Sequence, residues 1–317
     1  MLFGRFKRKK YSEEKFVDIL CKEKNLKVKK FFLESKFVWD DLEEVLWHHD
    51  EPFGGFSVIA QNKILELIKK KTDIKVLLSG QGGDEILCGY RKFFFFYLEE
   101  ELRKARIFNV LKNTLFSLFY RTILWQFSLS EAKRYLPSFQ KYSDPLDSVL
   151  KIKGELEPIW ESKDLKERQI LDIDKYSVPA LTHYEDRNSM AYSQEIRLPF
   201  LDYRLVNFVL NLPSSFKIKN GWTKYILRKS IKELPEKIAW RRDKQGFINP
   251  EEKWLKFDFC DKIISLFKES KLDEIGILEK NKLLEMYKKF LKGDRRIWYS
   301  DITRFLIAEI WIRKLIK

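Results

Sequence analysis

Apolar positions in the first part of the chain switch between helical spacing and short unbroken runs, the pattern of alternating helices and strands. Phe16, Ile19 and Leu20 share one face of a helix predicted over 12–22, and 26–33 reads as a short strand. A second helix, over 39–48, turns Leu42, Val45 and Leu46 inward, and a third, over 57–71, does the same with Ile59, Ile64, Leu65 and Ile68. The nearly unbroken apolar run IKVLLSG at 74–80 predicts a buried parallel strand that ends in a glycine loop. From residue 91 onward strand signals fade and helical periods dominate. Asp202 is placed to cap a helix over 203–212 that Pro213 stops, and Thr223 to cap one carrying Ile226, Leu227, Ile231 and Leu234 that Pro235 ends. Leu283, Leu284, Tyr287 and Phe290 line a helix over 279–291 terminated at Gly293, and a helix over 301–316 closes the chain. The run FFFFY at 93–97 is expected in the core where two parts meet: an α/β segment with parallel strands over 1–90 and a mainly helical domain over 91–317.

Composition narrows the classes available. A chain of 317 residues that is 44% hydrophobic can bury a core without disulfide or metal staples. Lys and Arg exceed Asp and Glu by 62 to 47, a net charge of +15, but the cations are spread along the chain and mixed with acids. A solvated basic surface is therefore expected, and nucleic acid is not expected as a partner. Cys21, Cys88 and Cys260 lie too far apart in sequence for a disulfide framework or a paired zinc site, and His48, His49 and His183 do not suggest a His-rich metal centre. The N-terminal MLFGRFKRKK lacks the apolar stretch and cleavage site of a signal peptide. The greasiest stretch, 107–127, is interrupted by Lys112 and Arg121. A cytoplasmic location and no membrane partner follow as expectations.

Ser79 to Tyr90 reads SGQGGDEILCGY, directly after the predicted strand. Gly80, Gly82 and Gly83 would let backbone N–H groups approach an anion closely, and Asp84 and Glu85 stand where a carboxylate could hold Mg²⁺ beside a phosphate. The loop matches neither a Walker A nor a GxGxxG pattern, so a tight strand-to-helix turn capped by Asp84 stays open as its plain reading. In a second block, 184–202, Arg187, Met190 and Gln194 come round together on a helix, which suggests an ion-pair network or a site wall. A third, 221–247, sets Lys224 and Arg228 one turn apart and ends in a basic loop; such groups, converging on a phosphate cradle, would neutralise developing pyrophosphate charge.

DEPFGG at 50–55, SGQGGDE at 79–85, EDRNSMAYSQEIRLPFLD at 185–202, and TKYILRKS through RRDKQGF at 223–247 occur in an order that resembles the synthetase domain of the asparagine synthetases, from about Tyr11 to the C-terminus. The resemblance implies membership of the N-type ATP pyrophosphatases, with an adenine nucleotide alpha hydrolase-like parallel sheet that binds ATP. It also implies Mg²⁺, activation of the aspartate side-chain carboxylate as an acyl-adenylate, and displacement of AMP by ammonia from an N-terminal glutaminase domain. Carried over by position, Ser79 and Gly80 make backbone contacts with the nucleotide, with Gly82 and Gly83 completing the loop, and Asp84 is the metal-binding carboxylate. Lys244 steadies phosphate charge at adenylation. Gln81 stands where some members carry a glutamate and others a glutamine; an amide cannot take a proton, so it orients by hydrogen bonding. Asp186, Arg187, Glu195 and Arg197 resemble site-wall and scaffold residues.

The departures shape the expectation as much as the matches. The family's SGGxDS pyrophosphate loop does not occur in this sequence, and neither does the cysteine-led glutaminase: removal of Met1 would expose Leu2. The sheet is expected to be partial, with edge groups and apolar faces that favour a complementary N-terminal chain. ATP-dependent amidation of aspartate, competent only with that partner, is the leading reading. An amidotransferase acting on another carboxylate and a non-catalytic basic helical binding protein are the alternatives.

Overall fold

The computed structural model describes residues 2–6, 13–126, 148–152, 162, 164–242 and 250–315. Its strands form two separate parallel pairs. Strand β1 (Leu2–Phe6) runs through helix α1 (Glu14–Lys24) into β2 (Lys29–Leu33), with Leu2 opposite Lys29 and Phe6 opposite Leu33. The sequence pattern had passed over β1, because Gly4 and Arg5 interrupt its apolar run. β2 starts later than expected: Asn25 closes α1 in the left-handed conformation at φ 49°, which leaves Leu26 exposed in the turn.

The second pair joins β3 (Val76–Leu78) to β4 (Glu195–Arg197), extended at its ends by Glu195 N–H to Lys75 O and Ser79 N–H to Arg197 O. The predicted parallel strand is present, but it is not buried: Ile74 and Val76 are exposed, and Leu78 is 75% exposed. Among the described residues β3 has one strand neighbour, so its second edge and one face stay open. The single partial sheet expected over 1–90 is thus replaced by two small open pairs within a mainly helical chain.

The helices follow the apolar periods closely. α2 (Ser35–Asp40) and α3 (Leu42–His49) divide the single helix predicted there, and α4 (Ser57–Lys71) has the bounds expected. A short α5 (Gly83–Ile86) leads into α6 (Arg91–Arg103), which buries Phe93, Phe94 and Tyr97 as anticipated, and then α7 (Ile107–Phe119). α8 (Leu165–Leu171), α9 (Val178–Met190) and α10 (Tyr203–Asn211) follow, the last capped by the Asp202 carboxylate accepting from Arg204 N–H. α11 (Ser214–Lys217) precedes α12 (Tyr225–Ser230), which is shorter than expected: Lys224, not Thr223, is its N-cap, and Ile231 and Leu234 lie beyond its end. α13 (Cys260–Lys268), α14 (Lys280–Leu291) and α15 (Tyr299–Leu315) close the described chain.

The largest core packs Val38, Leu42, Val45, Leu46, Phe53, Phe56 and Ile59 against Ile263, Phe267, Leu283, Tyr287 and Leu306. That core holds α2–α4 on the C-terminal helices. A second, polar core sits under the glycine loop. Arg168 on α8 is fully buried against Asp172, which also pairs with Lys92 at 2.6 Å. Gln169 donates to Glu85 O and Ile86 O, and the buried Lys217 ammonium donates to its amide oxygen at 2.8 Å. Removing one partner from such a network leaves an uncompensated buried charge at a cost of about 3–5 kcal/mol.

Glu251 is buried where the C-terminal helices meet the DEPFGG segment. It accepts from the Thr303 hydroxyl at 2.6 Å and from Phe56 N–H. Burial pushes its carboxyl up from 4.5 to about 7. The folded chain then binds this proton more tightly than the unfolded chain, so the stabilisation is full below about pH 4.5 and is lost as the pH rises through about 7. Glu251→Gln removes that slope. Relative to the parent chain, its stability in urea unfolding is expected to rise by about 3 kcal/mol between acidic and mildly alkaline pH.

Candidate functional site

The site starts where β3 ends. Ser79 is tied to β4 through its backbone, and its hydroxyl accepts from Gln81 N–H at 3.3 Å, starting the turn. Gly82 continues it at φ +85°, a left-handed conformation that favours glycine. A Cβ on Gly82 would also sit 2.2 Å from the Leu201 side chain, and one on Gly83 would sit 3.2 Å from the Phe200 ring. The LPFL segment packed beneath the loop thus leaves no room for a side chain at residue 82 and crowds one at residue 83. Gly80 differs: a Cβ there meets nothing within 4 Å.

Asp84 follows on α5, and its carboxylate lies 2.9 Å from the Lys224 ammonium. The pair is possible because residue 89 is glycine; a Cβ at Gly89 would fall 1.9 Å from Asp84 Oδ1 and 2.3 Å from Lys224 Cε. Lys224 holds a left-handed φ of 52° at the start of α12. One turn on, Arg228 donates to the carbonyls of Thr223, Ala239 and Arg241 and stacks over Trp222 at 5.1 Å. Burial lowers its guanidinium to about 10, with the Asp84 charge opposing the shift, so it stays protonated at neutral pH. Asp84, Lys224, Arg228, Arg241 and Arg242 line a cavity of about 290 Å³ beside the loop.

α9 reaches the start of the loop through Glu185. Glu185 is buried, accepts from the Gln61 amide at 3.2 Å and from the Ser79 hydroxyl, and is pushed up by burial. Next to it Asn188 bonds His49 at 3.0 Å, Asn62 at 3.0 Å and Val58 O at 3.0 Å, while Tyr192 donates to Asn62 at 2.8 Å. Burial pushes His49 below its ordinary value. Arg187 pairs with Asp50 at 3.0 Å, and His183 lies 3.4 Å from Glu51. The 50–55 and 185–202 blocks are thus sewn together, the 185–202 block touches the glycine loop through Glu185 and Leu201, and the 223–230 block touches it through Lys224.

Some expectations are displaced. Arg187, Met190 and Gln194 do not share a face, because α9 ends at Met190 and Gln194 is fully buried in the turn that follows. Glu195 and Arg197 pair with each other at 2.7 Å on the exposed side of β4. Lys244 lies outside the described residues. Sequence reasoning gave no role to Glu185, whose one signal was its place in a charged block, and did not connect Lys224 to Asp84. Among the described residues no three His, Cys, Asp or Glu side chains gather as a metal-holding group.

A parallel strand, a glycine loop and a basic cleft closed by a lone carboxylate are consistent with an adenine nucleotide alpha hydrolase-like domain whose sheet is small and open. A family model described as asparagine synthase matches residues 3–313, and the chain belongs to that family. It is 28% identical over 298 residues to glutamine-hydrolyzing asparagine synthetase 1 of Bacillus subtilis (strain 168), a match covering 86% of this chain and 45% of that protein. Asparagine synthetase 3 of the same organism is 30% identical over 215 residues, 67% of this chain and 32% of its own length. A putative asparagine synthetase of Mycobacterium bovis is 26% identical over 236 residues, 68% and 35% respectively. The matches thus span less than half the length of these curated relatives.

Gly82→Ala tests the packing beneath the loop. A left-handed alanine forced into Leu201 is expected to cost about 2–4 kcal/mol in urea unfolding. Leu201→Ala in the same chain should recover the steric share but not the backbone share.

Proposed function

We propose that the chain carries the synthetase portion of a glutamine-dependent asparagine synthetase, amidating the side-chain carboxylate of aspartate at the expense of ATP. The observation that carries this reading is the meeting of the glycine-loop block and the 223–247 block at one cleft through the Asp84–Lys224 pair, with the 185–202 block held against the same loop by Glu185 at Ser79. A carboxylate oxygen of aspartate attacks the α-phosphorus of ATP and pyrophosphate leaves; ammonia then attacks the acyl carbon and AMP leaves. Both leaving groups are anions, and Lys224, Arg241 and Arg242 face the cavity where that charge is stabilised.

In this reading Ser79 and Gly80 present backbone to the nucleotide, Gly82 and Gly83 hold the turn in shape, and Gln81 orients ammonia by hydrogen bonding. Mg²⁺ commonly takes one or two carboxylates and completes its shell with water and phosphate, so Asp84 would hold it, and its bound charge offsets that of the phosphates. Lys224 is then freed to meet phosphate oxygen, and Lys244 contributes a further cation. Arg228 acts on position: it clamps the carbonyls that shape the start of α12 and the 239–241 turn. The other phosphate-gripping element, the SGGxDS loop, is absent from the sequence and must be supplied by a further polypeptide segment together with the glutaminase.

AMP release from ATP, Mg²⁺, aspartate and ammonia checks this. The chain alone is expected to produce none, and a mixture with a polypeptide bearing the SGGxDS strand-loop is expected to turn over. Lys224→Ala or Asp84→Asn should lower turnover by about 100-fold. Turnover by the lone chain refutes the dependence, and turnover with a different acid but not with aspartate replaces the substrate.

A further inference from the structure

Helix α7 is mounted inside out. Its polar side is buried: Asn113 donates to the Tyr97 hydroxyl and to Asn109 O and accepts from Gly221 N–H at 3.1 Å, while Ser117 bonds Thr122 at 3.1 Å and accepts from Leu124 N–H at 3.0 Å. The helix backbone is pressed onto Gly221, where a Cβ would fall 2.4 Å from Ser117 N. Its opposite side carries Ile107, Phe108, Leu111, Leu115 and Phe119, each more than half exposed, on one continuous arc. Because polar bonds fix the inward side, the helix cannot roll to bury its apolar arc, and the hydrophobic effect favours a partner that covers it.

We propose that this arc docks on an anionic lipid surface, with α7 lying in the plane of the headgroups. The charge around it selects that occupant. From Leu102 to Ser130 the sequence holds five Lys or Arg and no Asp or Glu. Arg103, Lys104 and Arg106 pair back onto Glu99, Glu100 and Glu101 of α6, whereas Lys112 flanks the arc and the Arg121 guanidinium lies 5.1 Å over the exposed Trp125 ring just past its end. Apolar side chains bordered by cations and an exposed tryptophan suit the boundary between headgroups and acyl chains. A second copy suits it poorly, because a two-fold pairing of α7 with itself sets Lys112 against Lys112 and the Arg106 end against the Arg121 end. No described helix is long and apolar enough to cross a membrane, so this contact lies on the bilayer, where sequence reasoning expected no membrane partner at all.

Cosedimentation of the full chain with vesicles tests the proposal, using phosphatidylcholine alone and phosphatidylcholine mixed with phosphatidylglycerol. Binding to the anionic vesicles is expected, weakening as salt is raised. Phe108→Ser with Leu115→Ser should weaken it by about tenfold or more, with circular dichroism and the thermal midpoint unchanged because both side chains are exposed. Lys112→Glu with Arg121→Glu should abolish the preference for anionic lipid. Failure of the parent chain to bind overturns the proposal, and so does binding that survives the double serine change. A dimer in sedimentation velocity that the serine changes dissociate, without vesicle binding, overturns it in favour of a second copy.

Discussion

The glycine loop is held from below by a segment more than a hundred residues away in the chain. β3 contributes one short ladder with β4, and the 185–202 block adds three contacts to the loop: Glu185 at Ser79, Phe200 under Gly83, and Leu201 under Gly82. A strand with one open edge and an exposed Leu78 cannot position a turn on its own. The constraint is therefore steric and mutual. Leu201 fills the space that a Cβ at residue 82 would need, and the left-handed backbone there is tolerated because glycine carries none.

Electrostatics is layered around this frame. Deep charges are compensated: Arg168 with Asp172 and Lys92, and Glu309 with Ser270, Arg313 and the backbone N–H groups of Lys271 and Leu272. At the rim of the cleft Lys224 pairs with Asp84 and Arg241 with Glu13, while Arg228 and Arg242 add further cations to the lining. Such a rim suits an anionic ligand in a way that the sealed interior does not, because cations outnumber carboxylates along its lining, whereas the interior charges sit out of reach of solvent.

Much of the helical framework was legible from periodicity alone. α4 has the predicted bounds, Asp202 caps α10 as its residue type suggests, and Phe93, Phe94 and Tyr97 are core. Misreadings fell where local pattern and long-range packing disagree. Thr223 has the chemistry of a cap, yet the chain turns left-handed at Lys224 and starts the helix one residue later so that Lys224 reaches Asp84. The run at 74–80 has the composition of a buried strand, and burial depends on neighbours that the local sequence does not specify. In the candidate site, Asp84 and the loop could be named from their motif. Glu185 could not, because its role rests on Gln61 and Ser79 approaching it from other parts of the chain.

By itself the sequence determined which stretches are helical, where a parallel strand runs into a glycine loop, and which blocks of residues travel together, since propensity, capping and motif spacing are properties of neighbours along the chain. Only the tertiary structure decided that Gly82 and Gly83 pack on Leu201 and Phe200, that Gly89 lies against the Asp84–Lys224 pair, and that α7 turns its apolar side outward. Those outcomes depend on contacts between distant segments, where a single ångström of steric clearance or one buried amide fixes an orientation that apolar periodicity leaves undetermined.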